Sequence, residues 1–358
     1  MNLAFAMNKK YISHFSVVLK SIENNLLNKN EEIFVYILSI DLSEHEFIVL
    51  KNEFSHFHFI WHDLKEYDFD RFFINAHISY ETYFRIIIPE IINVDKILYL
   101  DCDLIIRKPL DYLYSKDIDS FAVAAVYDHS AQGRKKALEI PEYAMYFNAG
   151  VLLMNLKHWR KHHITKALVQ YIYKMGDKLK YWDQDALNAV LYDKVLIVED
   201  TWNIQTASFE TKMVDEETLK NPTIVHFTGA SKPWHISSNN VFQHEYLGYL
   251  ALTSFKDFKF VSKQVENLLN SKKDIYIWGA GVTGEKVYKY LGIDIKGFID
   301  SDMTKVNQLF NGKPIYSIEQ LEKNDDIGIV VCSGYYREIA TILIEQGYIE
   351  NIDFIQQM

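Results

Sequence analysis

The chain has 358 residues, 49% of them apolar and 15% aromatic, with a formal net charge of -10. That is enough apolar material for one large domain and one small one, and it argues against disorder and against a general nucleic-acid-binding surface. Cys102 and Cys332 stand far apart inside apolar strand patterns, as buried thiols of a reducing compartment rather than a disulfide framework.

Residues 2–7 read as a short strand, followed by a helix with Phe15, Val18, Leu19, Ile22 and Leu26 at helical spacing. Residues 32–38 form a second strand, Ser43 and Glu46 a capping box for a helix through Glu53, and residues 58–61 a third strand. A β-α-β-α-β start predicts a parallel sheet with right-handed crossovers, whose ligands sit at the carboxyl ends of the strands. No apolar run approaches bilayer length. The first lysines follow the N-terminal apolar residues instead of preceding them, so a soluble, cytoplasmic protein is expected.

Residues 78–92 read as a helix up to about Pro89, carrying Arg85 either as a snorkelling surface residue or pointing into a site. The stretch KILYLDCDLIIRK, residues 96–108, then delivers Asp101 and Asp103 at the end of a buried strand. Alternate residues on an extended chain point the same way, so the two carboxylates can share one hard cation; a polar turn is the alternative. Residues 121–126 form a strand ending near Asp128. Residues 147–155, FNAGVLLMN, form another, with Asn148, Ala149 and Gly150 small enough for close backbone approach.

A single long helix is expected over residues 157–174. In YWDQDALNA, Asp183 can cap a helix, while Gln184 has no evident packing role. Residues 195–198 and 223–227 are strands, the latter leading into HFTGASKPWH, either a structured binding loop or a solvated turn with one buried tryptophan. Residues 253–273 read as a linker ending in an amphipathic helix, with peripheral membrane contact as an alternative use. A second unit spans residues 274–358. There GAGVTG, with Gly279, Gly281 and Gly284, follows a strand and Asp300 ends the next one, in the spacing of a dinucleotide fingerprint.

Taken together, FAMNKKY, HISYETYFR, LYLDCD, FNAGVLLMN, YWDQDALN and HFTGASKPW resemble, in order and spacing, glycosyltransferase family 8, the retaining galactosyl- and glucosyltransferases of bacterial surface glycans. The resemblance covers most of residues 1–252. It implies a GT-A fold, an α/β architecture with a mixed, mainly parallel sheet flanked by helices, followed by a small Rossmann-like α/β domain. It implies that Asp101, Asp103 and His226 hold a divalent metal, usually manganese, with magnesium as the substitute. Ala6 and Asn8 would contact the nucleoside, and Gly229 and Lys232 the diphosphate. Arg85, Asn148, Ala149, Asp183 and Gln184 would surround the donor sugar, with Cys102 in the same donor site and His77 and Asp128 towards the acceptor. In this family the position of Asn8 is often aspartate and that of Lys10 often asparagine; an asparagine carbonyl can still accept the uracil N–H, and a lysine can reach ribose or phosphate.

The expected activity is that of a metal-dependent hexosyltransferase moving galactose or glucose from a UDP-sugar to a polysaccharide, lipooligosaccharide or glycoprotein glycan. Gln184 is a poor nucleophile, so same-face attack is favoured, with Gln184 stabilising the oxocarbenium-like centre and Asp183 holding sugar hydroxyls. Two rivals are an NAD-dependent or sugar-nucleotide-modifying enzyme working from the C-terminal unit, and a non-catalytic sugar-nucleotide binder.

Overall fold

The computed structural model describes residues 1–69, 72, 80–207, 214–229, 232–235, 238, 240–258, 261 and 263–356. They form two compact units, Met1–Ala230 with His244–Asp257, and Ser231–Gln243 with Phe258–Met358.

The first unit is built on strands β1 (Asn2–Ala6), β2 (Ile33–Ser39), β3 (Phe57–Asp63), β4 (Lys96–Leu100), β5 (Leu104–Ile106), β6 (Val123–Tyr127), β7 (Phe147–Asn155), β8 (Val195–Val198), β9 (Ile204–Gln205) and β10 (Ile224–His226). Seven of them make one sheet in the order β3-β2-β1-β4-β7-β6-β8. Strands β1 to β4 run parallel, as the alternation of strands and helices predicts, and β7 returns antiparallel against β4. At the middle of this sheet β4 and β7 are buried almost throughout. Helices cover both faces there, which is why these strands read as continuous apolar runs.

Two local features aim this framework at a site. The β6–β7 ladder breaks between Ala125, opposite Leu152, and Tyr127, opposite Phe147. That irregularity leaves the N–H groups of Ala149 and Gly150 to side-chain acceptors. A separate three-stranded sheet, β5-β10-β9, sets His226 opposite Leu104 in an antiparallel register.

The capping box of Ser43 and Glu46 opens the helix Glu44–Glu53. The helix expected to end at Pro89 runs on over Glu81–Ile91. Pro89 removes one helical bond close to the end, and the N–H of Ile92 still closes the turn on Ile88 O at 2.9 Å. The single helix expected over residues 157–174 is two, Leu156–Lys161 and Ile164–Met175. Asn155 caps the first and the indole N–H of Trp159 ties it to Ala122 O, whereas Thr165 ties the second to Ile86 O. The chain turns between these anchors with His163 left-handed, at φ 52°.

The second unit carries β11 (Asp274–Trp278), β12 (Gly297–Ile299), β13 (Leu309–Phe310), β14 (Lys313–Tyr316), β15 (Ile327–Val331) and β16 (Phe354–Gln356), ordered β13-β14-β12-β11-β15-β16. The stretch expected as a linker contains the helix Lys263–Ser271, whose Val265 and Leu268 lie in this unit's core. In the glycine turn, a Cβ on Gly284 would fall 1.8 Å from Gly279 O, so the helix Val282–Leu291 seats against the turn only with glycine there. Among the described residues, no helix is long and apolar enough to cross a membrane.

Candidate active site

The buried central strand β4 stops at Leu100, and Asp101 and Asp103 follow just beyond its carboxyl end. His226 arrives from β10, where it pairs with Leu104 just after Asp103. Its Nε2 lies 3.3 Å from Asp103 Oδ1 and 3.7 Å from Asp101 Oδ2. One ligand atom from each of the three lies within 4.8 Å of the others, and among the described residues no other group of three or more acidic, histidine or cysteine side chains converges in this way. Gly150 leaves them room. A Cβ at that position would sit 2.2 Å from His226 Cε1 and 2.7 Å from Asp101 Oδ2.

Arg85 points inward from its helix and spans the acidic groups. Its Nη2 is 3.0 Å from Asp101 Oδ1, its Nε forms a 3.1 Å ion pair with Asp183 Oδ2, and its Nη1 donates to Ala149 O. The guanidinium lies 4.6 Å from the ring centroid of Tyr99, and the Tyr99 hydroxyl donates to Asp101 at 2.8 Å. Asp183 therefore does not cap its helix, Trp182–Leu191; the N-cap position is Tyr181, with no side-chain cap bond. Burial raises the pKa of Asp183 to about 6, against the opposing pull of Arg85 and with Asp101 adding to the rise.

Gln184, one residue on, is held on both ends. Its Oε1 accepts from Ala149 N–H at 3.0 Å and from Asn148 Nδ2 at 3.1 Å, and its Nε2 donates to Asp128 Oδ2 at 3.0 Å. Asn148 Oδ1 accepts from Gly150 N–H and from Asn203 Nδ2, and Asn203 Oδ1 faces His226 Nδ1 at 3.0 Å. An unbroken row of side chains thus joins Asp128 to His226.

Ala6, Asn8, Arg85, Asp101, Cys102 and Asp103 line one cleft of about 230 Å³, together with Tyr11 and Tyr99. Asn8 Oδ1 accepts from the Lys10 N–H, and Lys10 itself is exposed. Cys102 is buried with its thiol against Ala6 O; burial, with Asp101 and Asp103 adding, pushes its pKa up, so it stays protonated. Gly229 is exposed with φ +79°. Lys232 belongs to the segment Ser231–Gln243, which groups with the second unit; its Nζ lies 5.8 Å from the Trp234 ring centroid. His77 is outside the described residues.

Sequence reasoning did not find Tyr99 or Asn203. Tyr99 stands two residues before Asp101 on the same face of an extended chain, a spacing that could have revealed it. Asn203, in a short irregular stretch, carries no such signal. In the second unit, Gly279, Gly281, Gly284 and Asp300 share a separate cleft of about 460 Å³ with Lys305. Asp300 is already occupied there, by the Ala280 N–H and Lys305 Nζ on Oδ2 and by the Asp302 N–H on Oδ1.

The profile of Glycosyl transferase family 8 matches residues 2–237. The chain belongs to glycosyltransferase family 8. General stress protein A of Bacillus subtilis is 33% identical over 195 residues, which are 51% of this family 8 chain and 68% of that protein. Glycosyltransferase GlyF of Streptococcus pneumoniae is 28% identical over 246 residues, 66% of this chain and 58% of the relative. Among solved structures, the galactosyltransferase LgtC, in complex with donor and acceptor sugar analogs, superposes with a TM-score of 0.63 at 26% identity, covering 74% of this chain and 99% of LgtC. The mixed, mainly parallel sheet with its flanking helices is the GT-A fold, and the family 8 chain is a glycosyltransferase.

Proposed function

We propose that the chain is a metal-dependent, retaining hexosyltransferase that moves galactose or glucose from a UDP-sugar to a surface polysaccharide, lipooligosaccharide or glycoprotein glycan. The observation that carries this is the convergence of Asp101, Asp103 and His226 beside a cleft at the strand ends of a family 8 chain. Two carboxylates and an imidazole suit manganese or magnesium. The absence of a Cβ at Gly150 keeps open the space these ligands need, so the residues fit such an ion. When bound, the ion supplies positive charge against the donor's diphosphate, where negative charge grows as the glycosidic bond breaks. Ala6 and Asn8 are assigned to the nucleoside, Arg85, Asp183 and Asn148 to the sugar, and Asp128 to the acceptor side.

Retention is assigned to same-face attack. The acceptor hydroxyl oxygen bonds to the anomeric carbon as the bond to the β-phosphate oxygen breaks; that oxygen keeps the electron pair and takes the hydroxyl proton. The hydrogen bonds of Gln184 support this, because both lone pairs of its amide oxygen already accept N–H groups and neither is available as a nucleophile. A covalent adduct trapped on Gln184 or Asp183 would overturn it. The dinucleotide rival is less favoured because three of the four acceptor sites of Asp300 are already taken, which leaves one on Oδ1 for a ribose hydroxyl. Two free, buried cysteines fit a reducing cytoplasm.

The decisive experiment is donor hydrolysis over UDP-glucose, UDP-galactose and their N-acetyl forms, with and without manganese. Manganese-dependent UDP release from one hexose donor is expected. UDP binding with no turnover on any donor would replace the enzyme by a sugar-nucleotide binder.

A further inference from the structure

We infer that Asn203 is a positioning residue that fixes the tautomer of His226, with its own orientation dictated by the backbone N–H of Gly150. The use of that tautomer rests on the metal reading of Asp101, Asp103 and His226; the tautomer itself belongs to the metal-free protein.

An amide side chain can be turned end for end in its socket, and a neutral imidazole can carry its proton on either nitrogen. A backbone N–H can only donate. The N–H of Gly150 meets Asn148 at 3.0 Å, so the atom it meets is the carbonyl Oδ1. The same oxygen faces Asn203 at 2.8 Å, so Asn203 presents Nδ2 there and turns Oδ1 towards His226 Nδ1, 3.0 Å away. A carbonyl oxygen cannot donate, hence the imidazole proton sits on Nδ1. A second backbone group agrees: Ala149 N–H fixes Gln184 Oε1 as an acceptor, which obliges Asn148 to offer Nδ2 to it and Oδ1 to the other side.

The consequence falls on Nε2, the nitrogen that faces the two aspartates and the one a cation needs bare. Asp103 at 3.3 Å is a stronger acceptor than an amide and would draw the proton onto Nε2. Doing so would leave the Nδ1 lone pair facing the Asn203 carbonyl in a site where Asn203, Asn148 and His226 are all buried. A mispaired polar contact there is costly. The row of amides therefore holds the ligand nitrogen ready, and its direction originates in the backbone irregularity of β7.

The test is the imidazole ¹⁵N spectrum of the metal-free full chain, with the ring brought to its neutral form by raising the pH. Wild-type His226 is expected to carry its proton on Nδ1. In Asn203→Leu the proton should move to Nε2, and manganese affinity measured by titration calorimetry should fall by about 10- to 100-fold. Asn203→Asp keeps an acceptor towards Nδ1 and should keep the wild-type tautomer, which a purely space-filling role for Asn203 does not require. Should Asn203→Leu fail to fold, the wild-type and Asn203→Asp spectra decide. A wild-type proton on Nε2, loss of the Nδ1 proton in Asn203→Asp, or an Asn203→Leu variant with unchanged tautomer and affinity would overturn the assignment. Wild-type protein with the Nδ1 proton but no manganese binding would strike at the metal reading and leave the positioning role standing.

Discussion

The Nε2 of His226 lies 3.3 Å from Oδ1 of Asp103. Short antiparallel pairing makes this contact, with β10 laid against β5 so that His226 faces Leu104 and the N–H of Phe227 donates to Asp103 O at 3.0 Å. A backbone ladder thus sets the side-chain spacing, and the imidazole does not depend on a loop to find the carboxylates.

Removing one ligand charge separates a metal role from a packing role. Asp103→Asn is expected to lower manganese-dependent UDP release by on the order of 10²–10³-fold. His226→Ala should weaken manganese binding while a cooperative thermal transition persists. Full activity in the first variant, or a lost transition in the second, would make these residues structural.

Space at Gly150 is a second requirement. Gly150→Ala introduces a Cβ that would overlap His226 Cε1 and Asp101 Oδ2, so the imidazole must shift. The cost to stability should be about 1–3 kcal/mol, read from urea unfolding, with manganese affinity lost as well. Unchanged affinity would show that the histidine has freedom the packing denies it.

The pH dependence of stability should bear the mark of Asp183. Its folded pKa, raised to about 6, lies above the ordinary carboxylate value, so the unfolded chain ionises first and the folded state binds the extra proton. The contribution to stability is full below about pH 4 and is lost as pH rises through about 6. Compared between those limits in metal-free protein, wild type should lose on the order of 3 kcal/mol more than Asp183→Asn. Parallel stability curves for the two proteins would refute this.

The parts legible in the sequence share one property: their causes are local. The apolar run of β4 ending in two aspartates, the capping box at Ser43 and Glu46, and the small residues opening β7 each arise from the preferences of a few neighbouring residues. The break at His163 escaped because a helical repeat runs straight through it; anchors on Ala122 and Ile86, distant in sequence, impose the turn. Arg85 could have faced solvent or site on periodicity alone, and only the packed helix commits it to Asp101 and Asp183.

Order along the chain, together with the family's motifs, grouped Asp101, Asp103 and His226 into one expected site. Their convergence was decided in three dimensions, where β10 finds β5 and the glycine at position 150 leaves room for an imidazole. Asn203 belongs wholly to the tertiary structure. A buried amide takes its meaning from the donors and acceptors around it, and those are supplied by strands and helices that meet only when the chain has folded.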